Sequence, residues 1–282
     1  MPIIPIPADF TKQRPGKVIA LHLNYPSRIA QRGRSPKAPG YFLKAGTSIA
    51  KTGDTIERPK GTQLLAFEGE IALIIGKTAR RVDPAEGWNY VSGITAANDW
   101  GLYDLRHADK GSNLKNKSGD GYTPLGPAII PADLLDPKAL RVRTWVDGEL
   151  RQDDTTAELV FPFGQLVADL SQLMTLEPGD IILTGTPAGV GKVEAPTAPG
   201  APTTGRLITR VVESSHPIPA FGAQPKVDDT QREEAWGSRE AAGLAPVIKS
   251  RTAITPELRA KVEKIAVATL WAQLRKRGII NC

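Results

Sequence analysis

Residues 64–76, "LLAFEGEIALIIG", decide how this 282-residue chain is read. The apolar run from Ile71 to Ile75 has the composition of a strand, and two glutamates, Glu68 and Glu70, stand at its front. On a strand, residues i and i+2 point to the same face, so the two carboxylates stand side by side. Like charges that close tend to protonate one of the pair unless a cation neutralises them. Two readings follow: a divalent metal site, or an edge strand carrying two solvated glutamates.

The composition, 40% hydrophobic and 23% charged, supports one large folded domain with appendages. The net charge is +6, but the basic residues are scattered, with no stripe of interleaved aromatics, so nucleic acid is not expected as a partner. A small anionic substrate fits the charge as well. The only cysteine, Cys282, excludes an intrachain disulfide framework and cysteine-ligated zinc. The opening "MPIIPIPADFTKQRPG" has too short an apolar run for a signal peptide. Nowhere do about eighteen apolar residues run uninterrupted, so a cytoplasmic chain without a membrane partner is expected.

Working outward, "KVIALHLNY" (17–25) reads as a strand turning at Pro26, and 26–59 as a loop-dominated segment with one short strand, "GYFLKA" (40–45). "PAEGWNYVSGITAANDW" reads as a helix followed by a strand that closes at Asn98 and Asp99. Residues 101–127 form a long irregular region, and segments of that length are usually functional or disordered. "LRVRTWVDGELRQ" is a hairpin turning at Asp147-Gly148. Helical spacing runs from Phe163 to Met174, "IILTGTPAGVG" is a buried strand entering a glycine-rich turn, and "GRLITRVVES" is the last strand of the main domain. The expected fold class is α+β, predominantly β. Its parts are an N-terminal arm (1–16), a catalytic domain (17–215), a linker or extended tail (216–252) and a C-terminal amphipathic helix (253–282), with Thr255 as N-cap and Gly278 past its end.

A hard cation wants several oxygens, and the natural third is Asp99, at the end of a strand-like segment that can lie beside Glu68 and Glu70. Alone, Asp99 would be a turn former. Three carboxylates without a histidine pair favour Mg2+ or Mn2+ over zinc.

Taken in order, "NY", "YFLKA", "FEGEIALIIGK", "AANDW", "KSGDGYTPLGP", "VDGELRQ" and "LEPGDIILTGTPAGVG" resemble the fumarylacetoacetate hydrolase family over residues 17–215. Within it, the likeness is to the isomerase/decarboxylases of homoprotocatechuate degradation and to acylpyruvate hydrolases. The resemblance implies a rolled mixed β-sheet, usually in a homodimer, with Mg2+ or Mn2+ held at Glu68, Glu70 and Asp99. It also implies that Lys117 approaches the substrate's reacting oxygens, that Asp120 orients its loop, and that Thr186 and Tyr25 face the substrate. A solvated loop lysine, a turn-forming aspartate and a strand-end threonine are the ordinary alternatives.

The chain departs from the family where hydrolases carry a lid histidine and glutamate. "NYPSRIAQRG" puts Arg28 and Gln31 there, and neither is a base at neutral pH. His22 is the nearby residue that could substitute, unless it is merely structural. Arg106 stands three residues beyond the family arginine's place, which Tyr103 occupies. Arg28, Lys44 and Arg106 are candidate binders of a distal carboxylate. The expectation is a metal-dependent enzyme acting on a 2-oxo acid or diacid of aromatic-compound catabolism through an enolate. A catalytically inactive binding or scaffold protein is the competing reading. The C-terminal helix bears a shorter likeness to the family of the regulator of ribonuclease activity A and 4-hydroxy-4-methyl-2-oxoglutarate aldolases.

Overall fold

The computed structural model describes residues 15–193 and 206–247, with the backbone of Ile4–Pro5. It divides the chain into two units, Met1–Ala245 and Pro246–Cys282. The expected C-terminal helix at 253–282 lies outside the described residues.

The elements in chain order are strand β1 (Ile4–Pro5), β2 (Val18–Leu21), helix α1 (Pro26–Arg32), β3 (Tyr41–Lys44), β4 (Ile49–Lys51), β5 (Thr55–Lys60), β6 (Leu65–Phe67), β7 (Gly69–Ile75), β8 (Val91–Asn98), β9 (Gly101–Leu102), α2 (Leu114–Lys117), β10 (Thr123–Pro131), β11 (Arg141–Val146), β12 (Glu149–Thr155), α3 (Phe163–Leu173), β13 (Ile181–Leu183), β14 (Gly191–Lys192), β15 (Arg210–Pro217) and α4 (Asp229–Trp236). An eight-stranded mixed sheet runs β1-β10-β8-β7-β13-β2-β3, with β4 also on β10. Smaller sheets pair β14-β6-β9, β15 with β5, and β11 with β12. The architecture is the expected α+β, predominantly β, curled mixed sheet.

Strand β7 is the spine, and every one of its residues is buried. Alternation sends Ile71, Leu73 and Ile75 to one face, where Phe163, Leu166, Val167 and Leu170 of α3 cover them. On the other face Ala72 packs with Val18, Ala20, Ile181 and Leu183. The expected hairpin forms on β11 and β12, with Asp147 (φ 48°) and Gly148 (φ 88°) both in the left-handed region that a primed turn requires.

Five expectations need correction. The strand opened by the glutamates breaks at Glu68 into β6 and β7, which pair with different neighbours. The helix expected from "PAEGWNY" is only a 3-10 turn, Gly87–Tyr90, because Gly87 and Gly164 let it press directly on α3: a Cβ at Gly87 would lie 2.0 Å from the Gly164 carbonyl oxygen. The segment 26–59 contains a helix, α1, with proline in its first turn and Gly33 (φ 65°) at its C-cap. The irregular region 101–127 ends in a nine-residue strand, β10, whose Pro124, Gly126 and Pro127 disguise it and whose register shifts between Gly126 and Ile130. The tail expected at 216–252 likewise holds α4, capped by Asp228, whose carboxylate accepts from the Thr230 and Gln231 amides at 2.9 and 3.2 Å.

Leu166→Ala is expected to destabilise the fold by about 2–5 kcal/mol, the cost of a buried leucine cavity, because Leu166 is fully buried between α3 and β7. Leu173→Ala, at the exposed end of the same helix, is expected to change stability by less than about 0.5 kcal/mol. Urea denaturation of both variants checks the contrast.

Candidate metal centre

The β7–β8 ladder assembles the carboxylates. Its register pairs Gly69 with Asn98 and Glu70 with Ala97. One step further, the Asp99 amide donates to the Glu68 carbonyl at 2.8 Å, so Asp99 lies opposite Glu68 at the ladder's end. The Glu68 amide is held in turn by the Asn98 side chain at 2.8 Å. One oxygen from each of Glu68, Glu70 and Asp99 lies within 4.8 Å of the others, and all three residues are buried. Oxygens of one ion's shell, at 2.0–2.6 Å from it, span up to roughly 5 Å across the ion, so the three fit a single hard cation.

The carboxylates are braced from several elements. The Lys117 ammonium, at the end of α2, donates to Glu68 Oε2 at 2.6 Å and to the Asp99 carbonyl at 2.8 Å, and it lies 3.0 Å from Asp99 Oδ2. The Tyr103 hydroxyl donates to Glu68 Oε1 at 2.7 Å. Lys44, on β3, donates to Asp99 Oδ1 and, at 3.1 Å, to the Tyr122 carbonyl. Glu70 accepts the Gly185 amide at 2.8 Å.

Electrostatics separate the three acids. Burial alone would raise Glu68, but Lys117 and Arg28 outweigh it and hold its carboxyl at about 2. Glu70 is pushed well above the carboxylate range by burial and by its neighbours Asp99 and Glu68. A carboxyl so poised is one that added positive charge would ionise. The chemistry of the donor set therefore fits a divalent cation. Burial works against the Lys117 ammonium too, yet Asp99 and Glu68 hold its pKa above the usual lysine range, so it stays charged.

Above Glu68, Asp99 and Lys117 opens a cavity of about 40 Å³, also lined by His22, Arg28, Arg32, Arg34, Tyr103 and Arg106. Buried Arg28, on α1, donates to Gln31 Oε1 at 2.6 Å and stands 3.9 Å from Glu68. Arg106 donates to the Asn113 side chain and lies 5.8 Å from the Tyr103 ring centre. His22 rests against Phe42, ring centres 4.9 Å apart. Burial, then Arg106 and Lys117, lower its pKa from 6.5 to about 4, so the ring is neutral at ordinary pH.

The remaining candidates do not line this cavity. Tyr25 is buried in the apolar layer under α3, its hydroxyl unpartnered among the described residues. Asp120 is exposed. The Thr186 hydroxyl is engaged, donating to the Gly69 carbonyl at 2.9 Å and accepting from Gln152 at 2.8 Å. Lys44 is enclosed beneath Asp99 and braces it. Sequence reasoning named Tyr103 only as the occupant of the family arginine's place and did not single out Gly185 or Gln152. Of these, Gly185 (φ 91°) carried a signal, because a glycine between two threonines at a strand's end marks a turn that can aim an amide.

The family model described as fumarylacetoacetate (FAA) hydrolase C-terminal matches residues 17–213, and the chain belongs to that family. It is 40% identical over 205 residues to the 4-hydroxyphenylacetate degradation bifunctional isomerase/decarboxylase of Salmonella dublin, a match covering 70% of this chain and 47% of that protein. The chain thus spans about half the length of this curated relative. Among solved structures, 5-carboxymethyl-2-hydroxymuconate delta-isomerase from Mycobacterium smegmatis superposes with a TM-score of 0.63 at 35% identity, covering 71% of this chain and 80% of that one. Fumarylpyruvate hydrolase from Pseudomonas aeruginosa, in complex with Mn2+ and pyruvate, gives 0.62 at 28% identity, covering 70% and 90%. Among the described residues, no helix is long and apolar enough to cross a membrane.

In an NMR titration of the histidine rings, His22 is expected to stay neutral until about pH 4. Arg106→Gln should move that midpoint up toward 6.5. Because the folded-state value lies below the unfolded one, the stability linked to this group is complete above pH 6.5 and is lost as pH falls through about 4. A midpoint at or above 6.5 would contradict the burial and charge argument.

Proposed function

We propose that this protein is a cytoplasmic, homodimeric, divalent-metal-dependent enzyme acting on a 2-oxo acid or diacid from aromatic-compound catabolism, favouring decarboxylation or keto–enol isomerisation over C–C bond hydrolysis. The observation that carries this reading is the meeting of three buried carboxylates with a charged Lys117 under an arginine-lined cavity. The relatives' names support the substrate class, since one is named for 4-hydroxyphenylacetate degradation and another binds Mn2+ and pyruvate.

Glu68, Glu70 and Asp99 would hold Mg2+ or Mn2+, as three hard oxygen donors suit either ion. When bound, the cation supplies a Lewis acid that polarises the carbonyl of a 2-oxo acid. Lys117, oriented by Glu68 and Asp99, donates a hydrogen bond to the substrate oxygen on which negative charge develops. Arg28 and Arg106 receive a distal carboxylate. Loss of CO2 needs only that the developing charge be stabilised; relocation of a proton needs the same stabilisation and an acceptor for a C–H proton already made acidic by the polarised carbonyl, a role that solvent water can fill. Attack by water needs a group to take its proton. Arg28 stays protonated and Gln31 does not titrate, while His22, at about 4, is a weak acceptor.

Calorimetry with Mn2+ is expected to find a single site that Glu70→Ala eliminates. Lys117→Met is expected to lower turnover by on the order of a hundredfold, the loss of one donor to a developing oxyanion. Oxaloacetate decarboxylation should exceed acetylpyruvate hydrolysis with the same metal. Turnover undiminished by chelator would remove the Lewis-acid role. Efficient hydrolysis surviving in His22→Asn would overturn the preference between reactions.

A further inference from the structure

Helix α4 lies beyond residues 17–213, the span shared with the family, yet three of its features reach the cavity wall. Glu234 is the first. Its carboxylate stands 3.5 Å from Arg32 Nη2, 3.7 Å from Arg106 Nε and 3.0 Å from His107 Nε2. Arg32 and Arg106 both line the cavity, and they come from α1 and from the turn after β9. One largely buried carboxylate therefore ties together two cavity arginines from behind.

The second and third features are at the helix's end. The Trp236 carbonyl accepts from the Gln31 side chain at 3.4 Å, and Gln31 accepts from Arg28. Gly237 caps the helix at φ 83°, and a Cβ there would lie 2.2 Å from Arg28 Nη1 and 2.6 Å from the Gln31 amide group. The cap is shaped around the Arg28–Gln31 pair. Trp236 is itself fixed, its ring packed over Gly191 and 5.8 Å from the Arg151 guanidinium. The helix has few apolar anchors, Ala235 being the buried one, so these polar contacts are much of what seats it.

An arginine is useful for reading a carboxylate only when its planar fork is held in place, because its side chain otherwise surrenders considerable rotamer freedom on binding. Arg32 and Arg106 are held by Glu234 of α4, and Arg28 is held at one remove, through Gln31 and the Trp236 carbonyl. With Arg34 they give the cavity a cationic wall beside Glu68 and Asp99, the two acids that Lys117 braces. A 2-oxo acid's own carboxylate belongs at the acidic end, where a cation would meet it, so the arginine wall is left for a second carboxylate.

We propose that α4 is a working part of the substrate site, with Glu234 and Gly237 as positioning residues that set Arg28, Arg32 and Arg106 to select 2-oxo acids bearing a second carboxylate. This rests on the reading of the site as one for 2-oxo acids, and it adds a specificity element from outside the family domain.

The test is the binding preference of the full chain, with Mn2+, for 2-oxoglutarate over 2-oxobutyrate, which differ by the distal carboxylate. The preference is expected to fall about tenfold in Glu234→Gln, the scale of disorganising one charge-assisted contact. Gly237→Ala, which occupies the space of Arg28, is expected to act in the same direction. Glu233→Gln on the same helix, which faces Arg239 at 3.3 Å, serves as the control and should keep the preference. In turnover assays Glu234→Gln should raise KM for a diacid more than it lowers kcat. The proposal is overturned if the wild type has no diacid preference, if Glu234→Gln keeps it, or if Glu233→Gln loses it equally. A wild type that prefers the diacid but turns over nothing would defeat the proposed function while leaving this inference standing.

Discussion

Three carboxylates within 4.8 Å of one another and nearly out of water cannot all ionise unless positive charge is buried with them. Much of the architecture answers that constraint. The β7–β8 register puts Asp99 across from Glu68, β3 delivers Lys44, α2 delivers Lys117, and α1 delivers Arg28. Among the described residues Glu70 is the acid braced only by an amide, from Gly185, and burial with the neighbouring Asp99 and Glu68 pushes its carboxyl up. Breaking a buried pair of this kind leaves an uncompensated charge, at a cost of about 3–5 kcal/mol. The site is therefore also a structural centre, and the irregular path from β8 to β10 is the route by which Tyr103 and Lys117 reach it.

How much of this was legible depends on the kind of signal. Glu68, Glu70 and Asp99 could be read because period-two alternation and like-charge repulsion act locally, at residues whose spacing is visible. The hairpin at Asp147-Gly148 and helix α3 were legible for the same reason. Strand β10 was not, because Pro124, Gly126 and Pro127 write a breaker pattern over residues that tertiary pairing holds extended. Lys44 was read as a substrate binder because its type and family motif suggested one, whereas only the fold reveals that its ammonium is closed beneath Asp99. The Thr186 hydroxyl, similarly, is taken up by the Gly69 carbonyl and Gln152.

Helix α4 shows a different failure. Its signals were present, with Asp228 and Gln231 at the spacing of a capping box and Gly237 at the far end. They were passed over because the segment has almost no apolar periodicity, and an isolated eight-residue polar helix is marginal in water. What stabilises it is long-range and polar, the contacts of Glu234, Trp236 and Gly237 with α1 and with the turn after β9. Contacts between residues well over a hundred positions apart leave no trace in local spacing. The same contacts fasten α1 to α4.

The arginine wall also bears on the chemistry. Arg106 and Lys117 add to burial in keeping His22 neutral, since a second positive charge beside them would be repelled. A cavity that welcomes a dianion is thus one in which the imidazole resists taking a proton. On the proposed reading, selectivity and reaction type are linked through the same side chains. The charges that bind a second carboxylate weaken the base that hydrolysis would need, and they strengthen the stabilisation of an anionic intermediate that decarboxylation and isomerisation share. A bound dianion would reverse part of this, because its carboxylate neutralises Arg106 and lifts the penalty on His22. Burial, the larger cause, is untouched by that neutralisation, so His22 stays the weak acceptor on which the preference against hydrolysis rests.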